Sequence, residues 1–307
     1  MLTLPSFAKI NWTLEILGKR ADGYHELRTL LQTVSIADEL SFELLDADLE
    51  LRGNHPSLAM DETNLIARAA KALREQSGCR LGARITLDKR LPLAAGLGGG
   101  SSNAAVTLLA LRKLWRLELS SAELFALGAQ LGADVPFFFV GGTCVGVGRG
   151  DEIYPTTEFH VPHLLLVNAG VLVATKEVYA NLPPELTAPN PMHKMPHSLQ
   201  AAYAHTEDSL SFLPVLHPVL HPVLHNDLEL SVLPRHPLLA EIKARLQSLG
   251  ASGVLMSGSG STVFGFFDSE AALVAAQMRL QTTGWWYAPA QTVSRSDYQV
   301  RLREVLA

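Results

Sequence analysis

The sequence predicts an α+β fold of two domains. Helical and strand-like patterns alternate in both halves of the chain, which is typical of mixed α and β packing. A length of 307 residues suits two packed domains, or one large one, better than a single simple core. The pattern becomes irregular between Asp151 and Pro162, and a new strand begins at Leu164. We therefore place the boundary there, with domains at 1–155 and 156–307.

In the first half, alternating hydrophobicity predicts three strands. Over 8–16 every even position is apolar, which leaves Lys9 and Asn11 on the opposite face. The segments 40–45 and 83–87 also have strand patterns. Lys9 and Asn11 are therefore expected to point to the same side of one strand.

Three helices follow from apolar spacing and from end signals. The first runs over 64–76, with a glycine two residues later as its stop. The second covers 101–114 and is rich in alanine and leucine. The third opens at Ser120, whose spacing to Glu123 is that of a capping box, and reaches 131–132.

The second half also mixes both element types. Its patterns predict strands at 164–167 and 262–267 and helices at 236–249 and 270–281. The stretch 183–196 contains five prolines, which predicts a loop or a flap.

A short repeat of Val-Leu-His places His217, His221 and His225 four residues apart. On a helix this spacing would present three imidazoles in a row, as a metal site requires. Pro218 and Pro222 each remove a backbone donor and would break such a helix. We therefore favour a short duplication in a tolerant loop over a metal site.

Composition and charge indicate a globular cytoplasmic protein. Hydrophobic residues make up 48% and charged residues 18%, and the net charge of -5 disfavours a nucleic-acid partner, which needs a basic face. No apolar run reaches the roughly 18 residues that span a bilayer, and the N-terminus lacks the features of a signal peptide. Cys79 and Cys144 have no paired spacing and are expected to be reduced thiols.

The strongest functional signal is a glycine-rich segment between a strand and an alanine-rich helix. Glycines let the backbone approach a ligand closely, and a helix N-terminus offers unpaired N–H groups and the positive end of its dipole. Together these features predict a phosphate site. The segment consists of Pro92, Leu93, Ala94, Ala95, Gly96, Leu97, Gly98, Gly99, Gly100, Ser101, Ser102 and Asn103.

Other interpretations of this segment fit less well. A Walker loop needs a lysine directly after its last glycine, and none is present. A dinucleotide fingerprint needs a third glycine where Ser101 stands, and the acidic residue it requires is not evident, since Glu118 follows a helix. A flexible glycine turn is the structural alternative, but the serines and the helix start favour phosphate binding.

Two charged residues are candidates for catalysis. Asp134 is held at a rigid corner by Pro136, and a carboxylate there could accept a proton from a substrate hydroxyl. Taken alone, however, Asp134 is more typical of an aspartate that satisfies its own turn, and Lys9 of a solvated strand face. A third segment, 257–262, is either a second amide-lined anion loop or a tight turn, and its residues favour neither.

In combination, these segments resemble the three motifs of the GHMP kinases (galactose, homoserine, mevalonate and phosphomevalonate kinases). The matching segments are 92–103, 132–139 and 250–265, in the family's order and spacing. Two N-terminal stretches, 8–11 and 18–27, narrow the resemblance to the branch that phosphorylates CDP-methylerythritol in the non-mevalonate isoprenoid pathway. The resemblance covers nearly the whole chain.

The resemblance implies a two-domain fold with ATP and a small-molecule substrate in the cleft between the domains. It implies that Asp134 is the catalytic base and that Lys9 pairs with it. Lys9 would either favour the ionised carboxylate or stabilise charge on the γ-phosphate. The glycine-rich segment would hold ATP, with Asn64 near the adenine and Ser102 as a contact of Mg²⁺.

For the second substrate, the resemblance implies that Tyr24 stacks on cytosine and that His25 hydrogen-bonds to the base edge. Tyr179 would cover the other face of the base, and Asn11 would belong to the same pocket. Mg²⁺ would offset phosphate charge without a dedicated protein metal site. A monomer or a weak homodimer is expected, with no membrane or nucleic-acid partner.

Two alternatives stay open. A sibling kinase would phosphorylate mevalonate, homoserine or a sugar, whereas Tyr24 and His25 favour the cytidine-bearing substrate. A nucleotide-binding regulator without catalysis would need neither Asp134 nor Lys9, so their presence argues against it. A dehydrogenase is disfavoured by the broken dinucleotide pattern.

Overall fold

The structure is a computed structural model that describes residues 1–188 and 224–306. Its strands are β1 (Leu2–Lys19), β2 (His25–Leu45), β3 (Leu49–Gly53), β4 (Gly82–Asp88), β5 (Thr143–Val147), β6 (Glu152–Pro155), β7 (Leu164–Asn168), β8 (His225–Asn226), β9 (Gly253–Met256), β10 (Val263–Phe266) and β11 (Trp286–Ala290). Its helices are α1 (Leu65–Ser77), α2 (Gly99–Leu114), α3 (Ser121–Leu131), α4 (Phe137–Val140), α5 (Thr175–Ala180), α6 (Pro184–Thr187), α7 (Glu229–Val232), α8 (Pro237–Ser248), α9 (Glu270–Leu280), α10 (Arg295–Arg301) and α11 (Arg303–Leu306). The mixture confirms the predicted α+β class.

The first sheet has the strand order β3-β4-β2-β1-β8, and β5 and β6 extend it from another part of β2. β1 and β2 are long antiparallel partners, in which Lys9 lies opposite Thr33 and Asn11 opposite Leu31. The pairing register shifts between Asn11 and Thr13, so the alternation of side chains between the two faces of β1 changes just after Lys9 and Asn11. Lys9 and Asn11 lie on the same side of the strand, as the alternation predicted.

Helices α1, α2 and α3 pack together, and α2 packs against β1 and β2, so that these elements form the first hydrophobic core. Helix α2 is at the centre of this layer, and its residues from Ser102 to Leu111 are all buried. A helix that is enclosed on every side is held firmly in position. The N-terminus of α2 therefore has a fixed place relative to β1.

The second sheet has the order β11-β7-β10-β9 with antiparallel neighbours. Helix α8 packs against β9 and β10, and α9 packs against β7 and β11. The two sheets meet at an aromatic cluster in which the Trp12 ring lies 5.4 Å from Phe264 and 5.6 Å from Phe159. This shared core fixes one sheet relative to the other.

The C-terminal helices α10 and α11 return to the first layer. Tyr298 is fully buried there and donates a hydrogen bond to the Phe138 carbonyl oxygen. Arg112 on α2 donates to the Val305 carbonyl oxygen at 3.3 Å. The first core thus contains residues from both ends of the chain. At the C-terminus the packing therefore does not follow the division into domains at 1–155 and 156–307, which stays a prediction.

The local end signals act as the sequence predicted. Asn64 caps α1 through its side chain, and Gly78 ends the helix with a left-handed φ of 66°. Ser120 and Glu123 make both hydrogen bonds of the capping box. Helix α2 begins two residues earlier than predicted, inside the glycine run.

Two predictions fall partly outside the described residues. In the proline-rich stretch 183–196, the structure describes residues up to 188, which include the short helix α6. Of the repeated histidines, His217 and His221 lie outside the described residues, and His225 Nε2 lies 2.7 Å from Asp227 Oδ1.

Both cysteines are free thiols, and burial raises the pKa of Cys144 to about 12. Across 1–188 and 224–306, every helix is too short or too polar to cross a bilayer.

Candidate active site

A cavity of about 1350 Å³ lies between the first sheet, the start of α2 and the loops of the second sheet. A site for one small ligand usually has roughly 300–1,000 Å³, so this cavity has room for two substrates. Among the described residues that line it, Asp134 is the one carboxylate, and the cations are Lys9, Lys19, Lys89, Arg149 and Lys176. The protein as a whole carries a net charge of -5, so the positive charge of this lining is a local feature. A cationic lining of this kind favours polyanionic ligands.

The glycine-rich segment lines the cavity over 92–101. Its backbone is left-handed at Ala94, Gly96 and Gly98, with φ of 48°, 72° and 67°. Gly98 precedes α2 and caps it without a side-chain hydrogen bond, so the first helical N–H groups have no side-chain partner there. This arrangement suits an anion, and the contact with ATP stays a prediction.

Three of the residues predicted to contact ATP have side chains bonded within the protein. Ser102 is fully buried behind the loop, outside the cavity lining, with Oγ 2.8 Å from Ser6 Oγ. Asn103 lines the cavity, but its side-chain amide lies 2.6 Å from the same hydroxyl. Asn64 lines the cavity as well, while its amide bonds to two backbone groups around the start of α1. The predicted Mg²⁺ contact of Ser102 is therefore without support.

The segment 257–262, which the sequence left undecided, packs directly against the glycine-rich segment. Ser257 Oγ donates to the Gly96 carbonyl oxygen at 2.9 Å, and the Thr262 amide donates to Ala95 at 3.0 Å. A Cβ on Gly96 would lie 2.2 Å from the Ser257 carbonyl oxygen. The segment thus supports the glycine-rich segment, and its residues 258–260 also line the cavity.

Lys9 is enclosed, in contrast to the solvated face that the residue type alone suggested. Its side chain is 4% exposed, and Nζ donates to Asn11 Oδ1 at 2.7 Å. Nζ also lies 3.5 Å from Asp134 Oδ2. A Cβ on Gly98 would lie 3.0 Å from Lys9 Cγ, and one on Gly258 would lie 3.1 Å from Nζ. Two glycines therefore enclose the lysine and leave its ammonium facing Asn11 and Asp134.

Asp134 lies in the turn between α3 and α4. Its side chain is 37% exposed and lines the cavity beside the start of α2. The short contact with Lys9 joins residues 125 positions apart in the chain. A carboxylate and an ammonium that meet at a helix N-terminus can take a proton from one group while they stabilise negative charge on another.

Lys89 is a lining residue that the sequence analysis missed. Its Nζ donates to Asp38 Oδ2 at 2.6 Å, and it lies 3.3 Å from the Cβ position of Gly99. Burial lowers the pKa of Lys89, and the ion pair with Asp38 opposes that shift. Its position three residues before Pro92 was the only indication in the sequence that Lys89 lines the cavity. A charged residue next to a glycine-rich segment is too common to identify a binding residue.

At the other end of the cavity, Tyr24 is 57% exposed, and Arg149 lies over one face of its ring at 5.0 Å from the centroid. Arg149 is held by Asp151, to which Nε donates at 3.0 Å. Such a cation–π contact orients a ring that would otherwise rotate in solvent. Arg149 was also missed in the sequence, because its contact with Tyr24 depends on the fold.

His25 and Tyr179, predicted to bind the same base as Tyr24, stack on each other at 5.2 Å and 28°. Burial lowers the pKa of His25, and Lys19 lowers it further, so the neutral imidazole is favoured. His25 Nε2 is buried without a hydrogen-bond partner among the described residues. Burial raises the pKa of the Tyr179 hydroxyl, and the Asp134 charge adds to this.

Family models match both halves of the chain. The GHMP kinases N-terminal domain matches residues 64–142, which include α1, the glycine-rich segment and Asp134. The GHMP kinases C-terminal model matches residues 219–283, which include the loop 257–262.

Full-length relatives are similar in sequence and in structure. The chain is 44% identical to the 4-diphosphocytidyl-2-C-methyl-D-erythritol kinase of Syntrophus aciditrophicus (strain SB), over 93% of this chain and 97% of the relative. It is 40% identical to the enzyme of the same name from Geobacter sp. (strain M21), over 95% and 99%. A crystal structure of 4-(cytidine 5'-diphospho)-2C-methyl-D-erythritol kinase superposes with a TM-score of 0.75 at 34% identity, over 95% of this chain and 100% of that one.

Proposed function

The chain belongs to the GHMP kinases and, within them, to the family of the 4-diphosphocytidyl-2-C-methyl-D-erythritol kinases, and we propose on this premise that it phosphorylates that compound. The reaction transfers the γ-phosphoryl group of ATP to the 2-hydroxyl of the methylerythritol unit. The product serves the non-mevalonate route to isoprenoid precursors.

One observation carries this proposal: Lys9 Nζ lies 3.5 Å from Asp134 Oδ2 beside the N-terminus of α2. The helix start offers N–H groups and a positive dipole to the β- and γ-phosphates of ATP. In the proposal, the acceptor hydroxyl meets the γ-phosphate between the carboxylate and the ammonium. A binding protein without catalysis would not need a carboxylate in a cavity whose other charged lining residues, among those described, are cations.

In the proposed reaction, the bond between the γ-phosphorus and the acceptor oxygen forms while the bond to the β–γ bridging oxygen breaks. ADP leaves with that oxygen, and the hydroxyl proton passes to Asp134. The transition state is loose, so catalysis rests on positioning and on charge. Backbone amides of the glycine-rich segment and the Lys9 ammonium stabilise the negative charge of the transferring group.

Mg²⁺ accompanies ATP in such reactions and offsets the charge of the β- and γ-phosphates. Among the described residues, no group of three or more His, Cys, Asp and Glu side chains is placed to hold a metal ion. Mg²⁺ usually takes one or two carboxylates together with substrate phosphates and water. Because the proposal uses Asp134, the one carboxylate among the described lining residues, as the proton acceptor, a Mg²⁺ ion that arrives with ATP would be held by the substrate phosphates and water.

For the cytidine moiety, the proposal uses the end of the cavity that contains Tyr24, His25 and Tyr179. Arg149 covers one face of the Tyr24 ring, so the base would stack on the opposite face. A neutral His25 has one donor and one acceptor nitrogen, which suits the edge of a neutral base. Its Nε2 has no hydrogen-bond partner among the described residues, and a bond to the base would satisfy it.

We expect Tyr24→Ala to raise the KM for the cytidine substrate by about 5- to 150-fold, since stacking of a base on an aromatic ring contributes roughly 1–3 kcal/mol. The KM for ATP should stay within about twofold, because Tyr24 follows the end of β1, ten residues beyond Lys9, whose amide donates to the Leu97 carbonyl oxygen of the glycine-rich segment. Steady-state kinetics with each substrate varied in turn measures both values. Tyr24→Phe keeps the ring and is the matched control, with both constants expected near those of the unmutated protein. Equal rises in the two KM values for Tyr24→Ala would contradict stacking.

The function is tested by incubation of the purified protein with Mg-ATP and one acceptor at a time, with ADP release as the readout. The acceptors are 4-diphosphocytidyl-2-C-methyl-D-erythritol, mevalonate, homoserine and galactose. ADP formed only with the first supports the proposal. ADP formed with another acceptor would make the chain a different GHMP kinase, and tight ATP binding without turnover would favour a regulator.

A further inference from the structure

The segment Asn226–Glu229 connects the two sheets close to Lys9. Asn226 pairs in parallel with Leu14 of β1, and the Asp227 amide donates to the Leu14 carbonyl oxygen at 3.0 Å. The Asp227 carboxylate accepts a hydrogen bond from the Ile16 amide at 2.7 Å. On the other side, Glu229 accepts one from the Met256 amide at 2.8 Å. The segment thus ties β1, which carries Lys9, to the end of β9.

The side chain of Asn226 is the central connection of this segment. Its Nδ2 donates to the carbonyl oxygens of Met256 and Gly258, both at 2.8 Å. Its Oδ1 accepts from the Leu228 amide at 3.0 Å. Asn226 is 4% exposed, so both amide hydrogens and the oxygen are used inside the protein. An aspartate of the same shape would turn the two donor contacts into repulsion between oxygens.

Gly258, one of the two partners, lies beside Lys9 and Asn11. Its φ is 55°, and a Cβ there would lie 3.1 Å from Lys9 Nζ and 3.4 Å from Asn11 Oδ1. Its backbone therefore lies next to the ammonium and leaves no room there for a side chain. A movement of Gly258 toward or away from Lys9 would change the space that the ammonium occupies.

We propose that Asn226 is a positioning residue for phosphoryl transfer: by holding the carbonyls of Met256 and Gly258, it keeps the Gly258 backbone against Lys9 and so fixes the ammonium between Asn11 and Asp134. The inference rests on the proposed function of Lys9 and Asp134. It assigns Asn226 no contact with either substrate, since Asn226 is not among the residues that line the cavity.

We expect Asn226→Asp to lower kcat by about 10- to 100-fold, because a displacement of about 1 Å at a catalytic group can change the rate by roughly 10². Both KM values should change less than about threefold, since an interaction that acts only in the transition state affects kcat. Steady-state kinetics uses whichever acceptor gave ADP in the acceptor comparison. Failure of the CDP-methylerythritol assignment therefore does not affect this test.

The matched control is Gln32→Glu. Gln32 is 1% exposed, and its Nε2 donates to the carbonyl oxygens of Thr33 and Val293 at 2.9 and 3.0 Å. The substitution therefore has the same chemistry at a residue that neither lines the cavity nor holds the Gly258 backbone. We expect both variants to lower the melting temperature, and only Asn226→Asp to lower kcat. Equal losses of kcat would mean that Asn226 acts through stability alone.

Two further measurements separate positioning from a general structural role. In a Lys9→Met background, Asn226→Asp should lower kcat by no more than about twofold, because effects that act through one residue are not additive. Acetylation of the substrate-free protein, read at Lys9 by mass spectrometry, should be faster in Asn226→Asp than in Gln32→Glu. Additive losses of kcat together with unchanged labelling of Lys9 would overturn the proposal.

If Asn226→Asp does not fold, Gly258→Ala tests the same contact from the other side. Its new methyl group would press on the Lys9 ammonium while Asn226 stays intact. The expected result is again a fall in kcat that disappears in the Lys9→Met background. A fall of equal size in both backgrounds would contradict the inference.

Discussion

Asp134→Asn is expected to lower kcat by roughly 10²–10⁴, the usual contribution of a positioned general base. Asparagine keeps the shape of the side chain and cannot accept the hydroxyl proton. Asp134 is the one carboxylate among the described lining residues, so no neighbouring acid there can replace it. ADP release under saturating Mg-ATP and acceptor measures the effect.

ATP binding by Asp134→Asn should be close to that of the unmutated protein, because the proposed phosphate site consists of backbone amides of the glycine-rich segment. Isothermal titration calorimetry with a non-hydrolysable ATP analogue measures this. Asp268→Asn, an exposed substitution of the same type, should leave kcat unchanged. Turnover of Asp134→Asn within tenfold of the unmutated protein would remove Asp134 from the mechanism.

Lys9→Met is expected to lower kcat by about 10²–10³, the scale found when one donor to a developing negative charge is removed. Methionine has a similar length and fills the enclosed space between Gly98 and Gly258, so the cavity shape should be preserved. The fall in kcat would therefore measure the contribution of the Lys9 ammonium group. Lys71→Met, on the exposed face of α1, is the control and should have no effect on kcat.

The double variant Lys9→Met/Asp134→Asn distinguishes the two roles of Lys9. The 3.5 Å contact indicates that the two groups act as a unit, so the double variant should be at most about tenfold slower than Asp134→Asn alone. Fully multiplicative losses would show instead that Lys9 acts on the γ-phosphate independently of Asp134. Single-turnover kinetics keeps product release from hiding either result.

Much of the local structure could be predicted because it depends on neighbours within a few residues. The Asn64 cap, the left-handed Gly78 and the capping box of Ser120 and Glu123 use hydrogen bonds and φ values of a single turn. The anion-binding start of α2 follows in the same way from consecutive glycines. The family resemblance then predicted that Lys9 pairs with Asp134 in the active site. Their residue types alone did not favour this role.

Other features could not be predicted because their partners are distant in the chain. Arg149 reaches the Tyr24 ring only through the pairing of β5 with β2. Ser102 was expected near Mg²⁺, but the bond to Ser6 of β1 turns it behind the glycine-rich segment. The return of α10 and α11 to the first core depends on a pocket for Tyr298 that no pattern in the sequence describes.

The sequence by itself determined the mixed fold, the glycine-rich start of α2 and the kinase family, since these depend on periodicity, on glycine conformations and on short motifs. The tertiary structure alone decided which polar groups face the cavity and which are used inside the protein. Lys9, Asp134 and Gly258 come from three distant segments, and their distances are set by the packing of two sheets and by Asn226. Burial and contact over such separations are properties of the whole packed chain, because each depends on side chains that meet only after folding.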